Sequence, residues 1–469
     1  MNKNIHKWFI TAILSAIILS SCDKYLDVQP KGVRMLETVT DFNLWLDNEY
    51  LATSVPAELN LFTDYKDNTN IKNPPQNDPD LIYTWHHQYS DDIKTPPVIW
   101  KDFYQAIYYY NTVIQGVDAA IGGTPEQIRN LKAEALLGRA FNYLYLVNLY
   151  GRQYNPQTAE ADLAVPFVTS NDLNKPTPDR SSVQEIYDYI IADLNAAIPD
   201  LPEDNSQNRF RGSVAAAYSI LARTYLYMGD FSKAAQNAQL ALDNSTSTML
   251  DYSTMTKASD IPYLKKRADA IYARFSNNRA QQEYPTLAYL QSFDTKDYRL
   301  NFYFSNSFFS ASLGNYVFTV RGKTGFYPGG VANGTTAHPN FGTSVAEMRL
   351  IIAEAAARAN DLTTAIDQLD LIRKCRFPAS YYVKFQSTDQ EEVLQKVLTE
   401  RTFELAFNGL RWFDMRRLDS EGRMAEVIRY DNLEEVVSTL PPHSNKYTLQ
   451  IPVQVLYFHP DWPQNQWDE

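Results

Sequence analysis

The sequence predicts a mainly α-helical protein, in which tetratricopeptide-like helical hairpins form a scaffold for a loop-rich, ligand-facing region with short strands. Hairpins with small residues at their packing positions indicate the scaffold, over about residues 100–250 and 343–420. Stretches rich in proline, asparagine and aromatic residues, at about 60–97, 151–180 and 251–342, indicate irregular insertions. We expect a ligand to meet these insertions, because loops on a rigid scaffold commonly carry binding sites.

The clearest helical hairpin covers residues 218–243. Gly229 is expected to end its first helix, because glycine adopts the left-handed conformation without a Cβ penalty. The second helix has small residues that let two antiparallel helices approach closely, namely Ala234, Ala238 and Ala241. A second copy covers residues 349–372, where Asn360 replaces the glycine of the turn and can also adopt the left-handed conformation.

A third helical pair is interrupted by a long insertion. Residues 125–150 are typical of one helix and residues 182–198 of its partner, with Ser181 or Ser182 as the N-cap. The residues between them, 151–180, are rich in proline, asparagine and aspartate. An insertion of this length within a hairpin predicts that the loop covers something.

The amino terminus predicts export and a lipid anchor. Lys3 and Lys7 precede an apolar run over residues 8–19 that is too short to span a membrane, which needs roughly 20 residues. Leu19-Ser20-Ser21-Cys22 resembles the lipobox of bacterial lipoproteins, which implies that residues 1–21 are removed and that Cys22 is acylated. The alternative is an ordinary signal peptide in which Cys22 is incidental. Cys375 is the one other cysteine and lies far away in sequence.

The composition excludes some partners. The chain has a net charge of −12, and removal of the two signal lysines makes it more negative. An acidic chain without a basic cluster argues against nucleic acid, whose binding depends on cations that neutralise phosphates. The chain also contains 32 tyrosines and 23 phenylalanines, more aromatic residues than a core of this size needs. Some aromatic rings are therefore expected to serve binding.

Four segments resemble the SusD/RagB family of nutrient-binding outer-membrane lipoproteins. They are residues 22–32, the helix pattern of Trp100, Tyr104, Ile107 and Asn111, the block 400–414, and residues 447–452. Asn408 and Gln450 depart from the family pattern, where glutamate and proline are usual. Neither departure affects the fold prediction. Both leave open whether this chain forms the family's usual ion pairs at these positions.

The resemblance implies how the mature chain works. Residues 22–469 would form a single SusD-like domain, anchored to the outer membrane and facing the exterior. Its partner would be a SusC-like, TonB-dependent barrel transporter, on which the lipoprotein acts as a hinged lid. The family fold would bind oligosaccharide, or peptide, without catalysis and deliver it to the barrel.

The first candidate ligand-binding cluster surrounds Trp85. This tryptophan lies in a polar, proline-rich loop, and the flat face of a sugar ring stacks well on aromatic side chains. The family resemblance also implies ligand-contacting aromatics in this region. Tyr83, Tyr89, Asp64 and Tyr65 are the companion candidates. The alternative interpretation is that Trp85 anchors the loop to the scaffold.

The second candidate cluster lies in the third insertion. Alternation of Phe302 and Phe304 with Tyr303 predicts a half-buried strand, with both phenylalanines in the core. Arg299, Tyr303 and Tyr327 are then candidates for exposed ligand contacts. Residues 316–320 predict another short strand.

A charged block near the end of the chain could be mistaken for an active site. Arg401 and Glu404 are three residues apart, so they share one helix face and can pair. Arg411, Trp412 and Asp414 follow. Opposite charges beside aromatic residues more often form a buried structural network than a catalytic one.

Other motifs are incomplete. Gly322-Lys323-Thr324 resembles the end of a phosphate-binding loop, but that loop requires a glycine five residues earlier, where this chain has Val317. His86 and His87 are neighbours in sequence, and neighbouring side chains rarely converge on one metal ion, so they indicate a surface loop. The sequence predicts neither a metal nor a cofactor. A pair of carboxylates acting as acid and base remains open, because distances in space are not visible in the sequence.

The leading prediction is therefore a non-catalytic lipoprotein that captures oligosaccharide and passes it to a transporter. A peptide ligand in place of a glycan, a lipid-anchored scaffold for protein assembly, and a surface hydrolase are the alternatives. The acidic composition favours neutral glycans, although total charge says little about one pocket.

Overall fold

Helices dominate the part of the chain that the structure describes. The computed structural model describes residues 36–90, 92–256, 260–276, 283–304, 309–310, 315–316, 318–326 and 339–468. Contacts group residues 38–469 into one unit. In the described residues, no helix is both long and apolar enough to cross a membrane.

The first insertion is built from short elements. They are α1 (Val39–Leu46), α2 (Glu49–Ala52), a 3₁₀ segment (Ala57–Phe62), β1 (Lys66–Asp67) and α3 (Asp78–Tyr83). Local capping explains where the helices begin. Thr38 and Asp41 form a capping box at α1, and Asn77 accepts a hydrogen bond from the Asp80 amide at α3.

The interrupted helical pair is present as predicted. Its elements are α4 (Val98–Gly116), α5 (Pro125–Tyr150), β2 (Leu163–Pro166), β3 (Arg180–Ser182) and α6 (Val183–Ala197). Thr124 and Gln127 form a capping box at α5, and Ser182 and Glu185 form one at α6. The insertion between the two helices is partly ordered by the antiparallel pairing of β2 with β3.

The clearest predicted hairpin is also confirmed. It consists of α7 (Val214–Met228) and α8 (Phe231–Asp243). Gly229 ends α7 at a φ of 76°, the left-handed conformation that the sequence predicted. Ala234, Ala238 and Ala241 are fully buried, which lets α8 pack closely against its neighbours.

The third insertion consists of short strands and single helical turns. Its described elements are β4 (Ala270–Tyr272), β5 (Tyr284–Pro285), α9 (Leu287–Gln291), α10 (Arg299–Phe302), β6 (Phe309–Ser310), β7 (Asn315–Tyr316) and β8 (Thr343–Ser344). The strands pair in twos, β1 with β5, β4 with β8 and β6 with β7, all antiparallel.

Two strand predictions in this insertion are corrected. Instead of the strand expected around Phe302, the structure has the helical turn α10, and the carboxylate of Asp297 accepts a hydrogen bond from the Arg299 amide at its start. The burial of Phe302 and Phe304 is nevertheless confirmed. The strand expected over residues 316–320 overlaps β7 only at Tyr316.

The second predicted hairpin and the carboxyl-terminal elements complete the scaffold. They are α11 (Val345–Arg358), α12 (Leu362–Arg373), α13 (Gln390–Glu404), α14 (Arg411–Ser420), β9 (Val427–Tyr430), β10 (Val436–Leu440) and α15 (Val453–Phe458). Asn360 lies between α11 and α12 at a φ of 62°, as predicted. Strands β9 and β10 form an antiparallel hairpin.

Much of the aromatic content is used in the cores. The main core lies between the scaffold helices, and its aromatic residues include Phe141, Tyr145 and Phe413. A second, mainly aromatic core supports the third insertion. It contains Tyr65, Tyr252, Tyr289, Phe293, Phe302, Tyr303, Phe304, Phe326, Phe403 and Phe407. These rings therefore serve the core and are not exposed at the surface.

Replacement of Gly229 by alanine tests the local rule that ends α7. A Cβ added at this position would meet no other side chain or backbone atom within 4 Å, so the cost comes from the positive φ alone. We expect Gly229→Ala to lower the free energy of unfolding by about 1 kcal/mol in urea denaturation. Asn360→Gly, at the same place in the other hairpin, is the matched control. It should change stability by less than about 0.5 kcal/mol, and equal losses in both variants would refute the rule.

Candidate functional site

The structure buries Trp85. Its side chain is 2% exposed, and Nε1 donates a hydrogen bond to the carbonyl oxygen of Phe62 at 3.0 Å. The Arg429 guanidinium lies 4.4 Å from its ring centre and 4.2 Å from the ring centre of Tyr83. The expectation that Trp85 and Tyr83 face a ligand is therefore wrong. Both rings anchor the loop, which was the alternative interpretation for Trp85.

The companion residues of this cluster are also held by the fold. Asp64 accepts two hydrogen bonds from Arg411, at 2.9 and 2.6 Å. The hydroxyl oxygen of Tyr65 accepts a hydrogen bond from the Phe407 amide, so this buried residue is not a surface contact. Tyr89 is half-buried and packs against the main core. The structure therefore gives this cluster a mainly structural role.

The second candidate cluster is corrected in the same way. Arg299 has no exposed surface and forms ion pairs with Asp297 at 2.6 Å, Glu400 at 2.7 Å and Glu404 at 3.1 Å. Tyr303 is buried, and its hydroxyl lies 3.1 Å from the hydroxyl of Tyr252. Neither side chain is an exposed ligand contact. Tyr327 and Cys22 lie outside the described residues.

The charged block forms a buried network, although with other pairs than predicted. Arg401 pairs with Asp414 at 2.9 Å rather than with Glu404. Arg417 also pairs with Asp414, at 2.9 Å, and with Glu354 at 2.5 Å. Glu404 instead binds Arg299 and Arg376, which come from outside α13. Helix spacing therefore predicted the wrong partner, because tertiary neighbours compete for each carboxylate.

Electrostatics stabilise the ionised state of this network. Burial alone would raise the pKa of the Glu400 carboxyl, but the guanidinium groups of Arg299 and Arg373 outweigh burial and hold that pKa at about 2. Glu400 therefore stays charged at neutral pH. A carboxylate held in this way is an ion-pair partner and is poorly suited to act as a proton donor.

The remaining motifs behave as surface features. His86 and His87 are both exposed, as predicted for a surface loop. Gly322 has a φ of 69°, and a Cβ there would lie 2.6 Å from Thr69, so close packing explains this glycine. No group of three or more potential ligands that could hold a metal ion occurs among the residues that the structure describes.

Two concave surfaces beside the second insertion are lined by residues outside both candidate clusters. We call the first the aromatic groove, a cavity of about 530 Å³. Its lining includes Ile93, Lys94, Trp100, Lys101, Tyr104, Tyr108, Leu173, Phe458, His459 and Trp462. We call the second the polar cleft, a cavity of about 590 Å³. Its lining includes Arg152, Asn155, Asp162, Arg180, Arg416, Asp419, His443, Asn445, Tyr447, Pro463, Gln464 and Asn465.

The aromatic groove presents rings to solvent. Phe458 is 73% exposed, and the Trp462 ring stacks on His459 with 4.1 Å between ring centres. Trp100 forms part of the floor, and its ring centre lies 4.9 Å from that of Tyr104. The Tyr104 hydroxyl donates a hydrogen bond to the Pro166 carbonyl. The floor is therefore fixed by the scaffold while the rim stays accessible.

One signal in the sequence points to this groove, but it is no stronger than the signal at Trp85. Trp462 lies among prolines and polar residues in Pro460-Asp461-Trp462-Pro463-Gln464, which is the same kind of pattern that selected Trp85. The two tryptophans differ because Trp85 has a core around it, whereas Trp462 is half-buried and contacts His459 and the Asp179 carboxylate near the surface. Local sequence does not distinguish these two cases.

Comparison with known proteins agrees with the fold. A SusD-like family described as "Starch-binding associating with outer membrane" matches residues 24–226, and the SusD family matches residues 312–465. The chain belongs to the SusD/RagB family. It is 27% identical over 379 residues to SusD-like protein P2 of Formosa agariphila, covering 70% of this chain and 72% of the relative.

Solved structures show the same architecture. A SusD superfamily protein from Bacteroides thetaiotaomicron superposes with a TM-score of 0.73 at 19% identity, covering 92% of this chain and 100% of that protein. Surface glycan-binding protein A from Bacteroides uniformis gives a TM-score of 0.70 at 17% identity, covering 91% and 99%. The predicted tetratricopeptide-like, SusD-like fold is thus confirmed.

Removal of Arg299 tests whether the buried network holds the third insertion. Arg299→Met would leave Asp297, Glu400 and Glu404 with less compensation in a buried site. We expect a loss of about 3–5 kcal/mol in the free energy of unfolding, measured in urea. Arg423→Met, which removes the surface pair with Glu391, is the control and should cost less than about 1 kcal/mol. Similar small losses in both variants would contradict the role given to Arg299.

Proposed function

We propose that this SusD/RagB protein captures oligosaccharide at the cell surface, and that the aromatic groove is its binding site. The observation that carries the proposal is the accessible aromatic rim of a cavity with a fixed floor. Its volume lies within the roughly 300–1,000 Å³ that is usual for small-molecule sites. Exposed apolar patches commonly mark interaction sites on protein surfaces.

The chemistry of the rim suits a sugar. A pyranose ring has an apolar C–H face, which Phe458 or Trp462 can cover with few side-chain torsions to freeze. Hydroxyl groups at the ring edge need polar partners, and Lys94, Lys101 and Thr177 lie in the same lining. The groove therefore combines flat apolar contacts with polar groups, as oligosaccharide recognition requires.

The relatives support a carbohydrate ligand. The family description names starch binding and association with the outer membrane. The structurally similar Bacteroides uniformis protein is named a surface glycan-binding protein. These names support glycan over peptide, and they support binding over protein scaffolding.

Binding without hydrolysis is part of the proposal. The buried carboxylates of the charged block are paired with arginines, as Asp414 is with Arg401 and Arg417. Such pairs keep carboxylates ionised, whereas a glycosidase needs one carboxylic acid that retains its proton. We therefore assign these acids to folding.

We further propose that the mature chain is anchored to the outer membrane through lipid on Cys22 and faces the exterior. From there it would pass oligosaccharide to a TonB-dependent barrel transporter. Two acyl chains give stable anchoring, at about 0.8 kcal/mol for each buried methylene. The lipobox sequence at Cys22 and the family membership support this arrangement.

The aromatic groove is tested by removal of the rings at its rim. We expect Phe458→Ala and Trp462→Ala each to weaken glycan binding roughly two- to tenfold, because an aromatic contact contributes about 0.5–1.5 kcal/mol. A glycan array would find a ligand, and titration calorimetry would measure the affinity. Tyr381→Ala, which removes an exposed ring outside the groove, is the control. Unchanged affinity in both groove variants would show that the glycan binds at another surface.

The anchor and the transporter are tested in cells. We expect the full-length chain to incorporate labelled palmitate, to be cleaved by protease added to intact cells, and to co-purify with a barrel transporter. Cys22→Ser should abolish the label, whereas Cys375→Ser, at the other cysteine, should leave it unchanged. A chain that is labelled normally but co-purifies with assembly factors instead of a barrel would favour the scaffold alternative.

A further inference from the structure

Arg416 is a buried cation in the wall of the polar cleft. The residue is 2% exposed, and its Nη2 donates one hydrogen bond to the Gly151 carbonyl at 2.6 Å. Nε and Nη1 are buried without a hydrogen-bond partner in the described structure. Burial lowers the pKa of this guanidinium to about 10, in line with a charge that has no acidic partner among the described residues.

The next residue, Arg417, is a buried arginine whose charge is balanced by acids of the chain. Arg417 is equally buried, but it binds the carboxylates of Glu354 and Asp414. Arg416 forms no ion pair with any acid among the described residues. Because a buried charge without a partner costs several kcal/mol, Arg416 is positioned for a partner that the described part of the chain does not supply.

Arg180 gives a second, independent observation in the same cleft. It is 7% exposed and donates to the carbonyl oxygens of Ala164 and Pro463 and to the side-chain oxygen of Asn465. These acceptors are neutral. Burial lowers the pKa of Arg180 to about 10 as well. Arg152, half exposed at the rim, adds a third guanidinium.

The acids of the cleft do not cancel these charges. The Asp419 carboxylate accepts two hydrogen bonds from the His443 amide, at 2.9 and 3.1 Å. A carboxylate oxygen of Asp162 lies 3.9 Å from the Nε of Arg152, at the limit of an ion pair. Three arginines thus meet two aspartates in the described lining of this cleft, although the whole chain has a net charge of −12.

The rest of the lining suits a sugar. Asn155, Asn445 and Gln464 can bind hydroxyl groups, and the buried hydroxyl of Tyr447 has no partner in the described structure. The cavity of about 590 Å³ lies within the roughly 300–1,000 Å³ of small-molecule sites. Arginine binds planar carboxylates particularly well, because its donors form a fork.

We infer that the polar cleft binds the carboxylate of an acidic sugar, a uronate, through Arg416 and Arg152. This inference takes from the proposed function only that the ligand is a glycan. The cleft is a different surface from the aromatic groove, since Trp462 lines the groove and Pro463, the next residue, lines the cleft. The two sites can therefore fail separately in an experiment.

The test compares trigalacturonate with its methyl ester, which has the same sugar chain without the charge. Calorimetry on the mature chain should show binding of the acid, and binding of the ester should be at least tenfold weaker. Arg416→Met and Arg152→Gln should each weaken binding of the acid by about tenfold or more. Arg152 is exposed, so its variant remains informative even if Arg416→Met is unstable. Arg129→Gln, an exposed arginine outside the cleft, is the control.

Three results would overturn the inference. They are equal binding of acid and ester, unchanged affinity in both cleft variants, and binding of inorganic sulfate without binding of trigalacturonate. The last result would make the cleft a site for small free anions. Trp462→Ala is measured in parallel with a neutral glycan. A loss there with no effect in the cleft variants would sustain the proposed function while rejecting the acidic-sugar site.

Discussion

Arg299 belongs to the irregular third insertion, yet its guanidinium is buried against Glu400 and Glu404 of α13. The strands of this insertion are two or three residues long, so their hydrogen bonds alone cannot hold it on the scaffold. Ion pairs and the second aromatic core make the attachment instead. Buried ion pairs add little net stability, but each guanidinium must meet particular carboxylates. We therefore interpret the network mainly as the constraint that fixes the insertion in one arrangement.

Ion pairing also distinguishes two neighbouring arginines of α14. Arg417 binds two carboxylates of the chain, whereas the adjacent Arg416 lines the polar cleft and, among the described residues, binds only a backbone carbonyl. A one-residue step moves a side chain by about 100° around a helix, so neighbouring arginines reach different environments. The first closes the core, and the second lies in the wall of the cleft with two donors unpaired in the described structure.

The second insertion and the carboxyl-terminal residues together form the walls of both concave surfaces. Leu173 lines the aromatic groove, and Asp162 and Arg180 line the polar cleft. The Asp179 carboxylate accepts a hydrogen bond from Trp462 at 3.3 Å, which ties the two segments together. The loop that the sequence predicted to cover something thus lines both surfaces. An aromatic surface for neutral rings and a cationic one for acidic rings would let one protein contact different parts of a glycan.

The sequence by itself determined the helical hairpins, because their signals are local. The turn at Gly229, the turn at Asn360 and the alanines of α8 depend on neighbours within a few residues, and the structure confirms each of them. The site could not be derived in this way. Trp85 is buried because Phe62 and Arg429, distant in sequence, enclose it. Trp462 has a similar local sequence but stays partly accessible. Burial and ion pairing are properties of tertiary neighbours, so only the tertiary structure decided which aromatic rings and arginines remain available to a ligand.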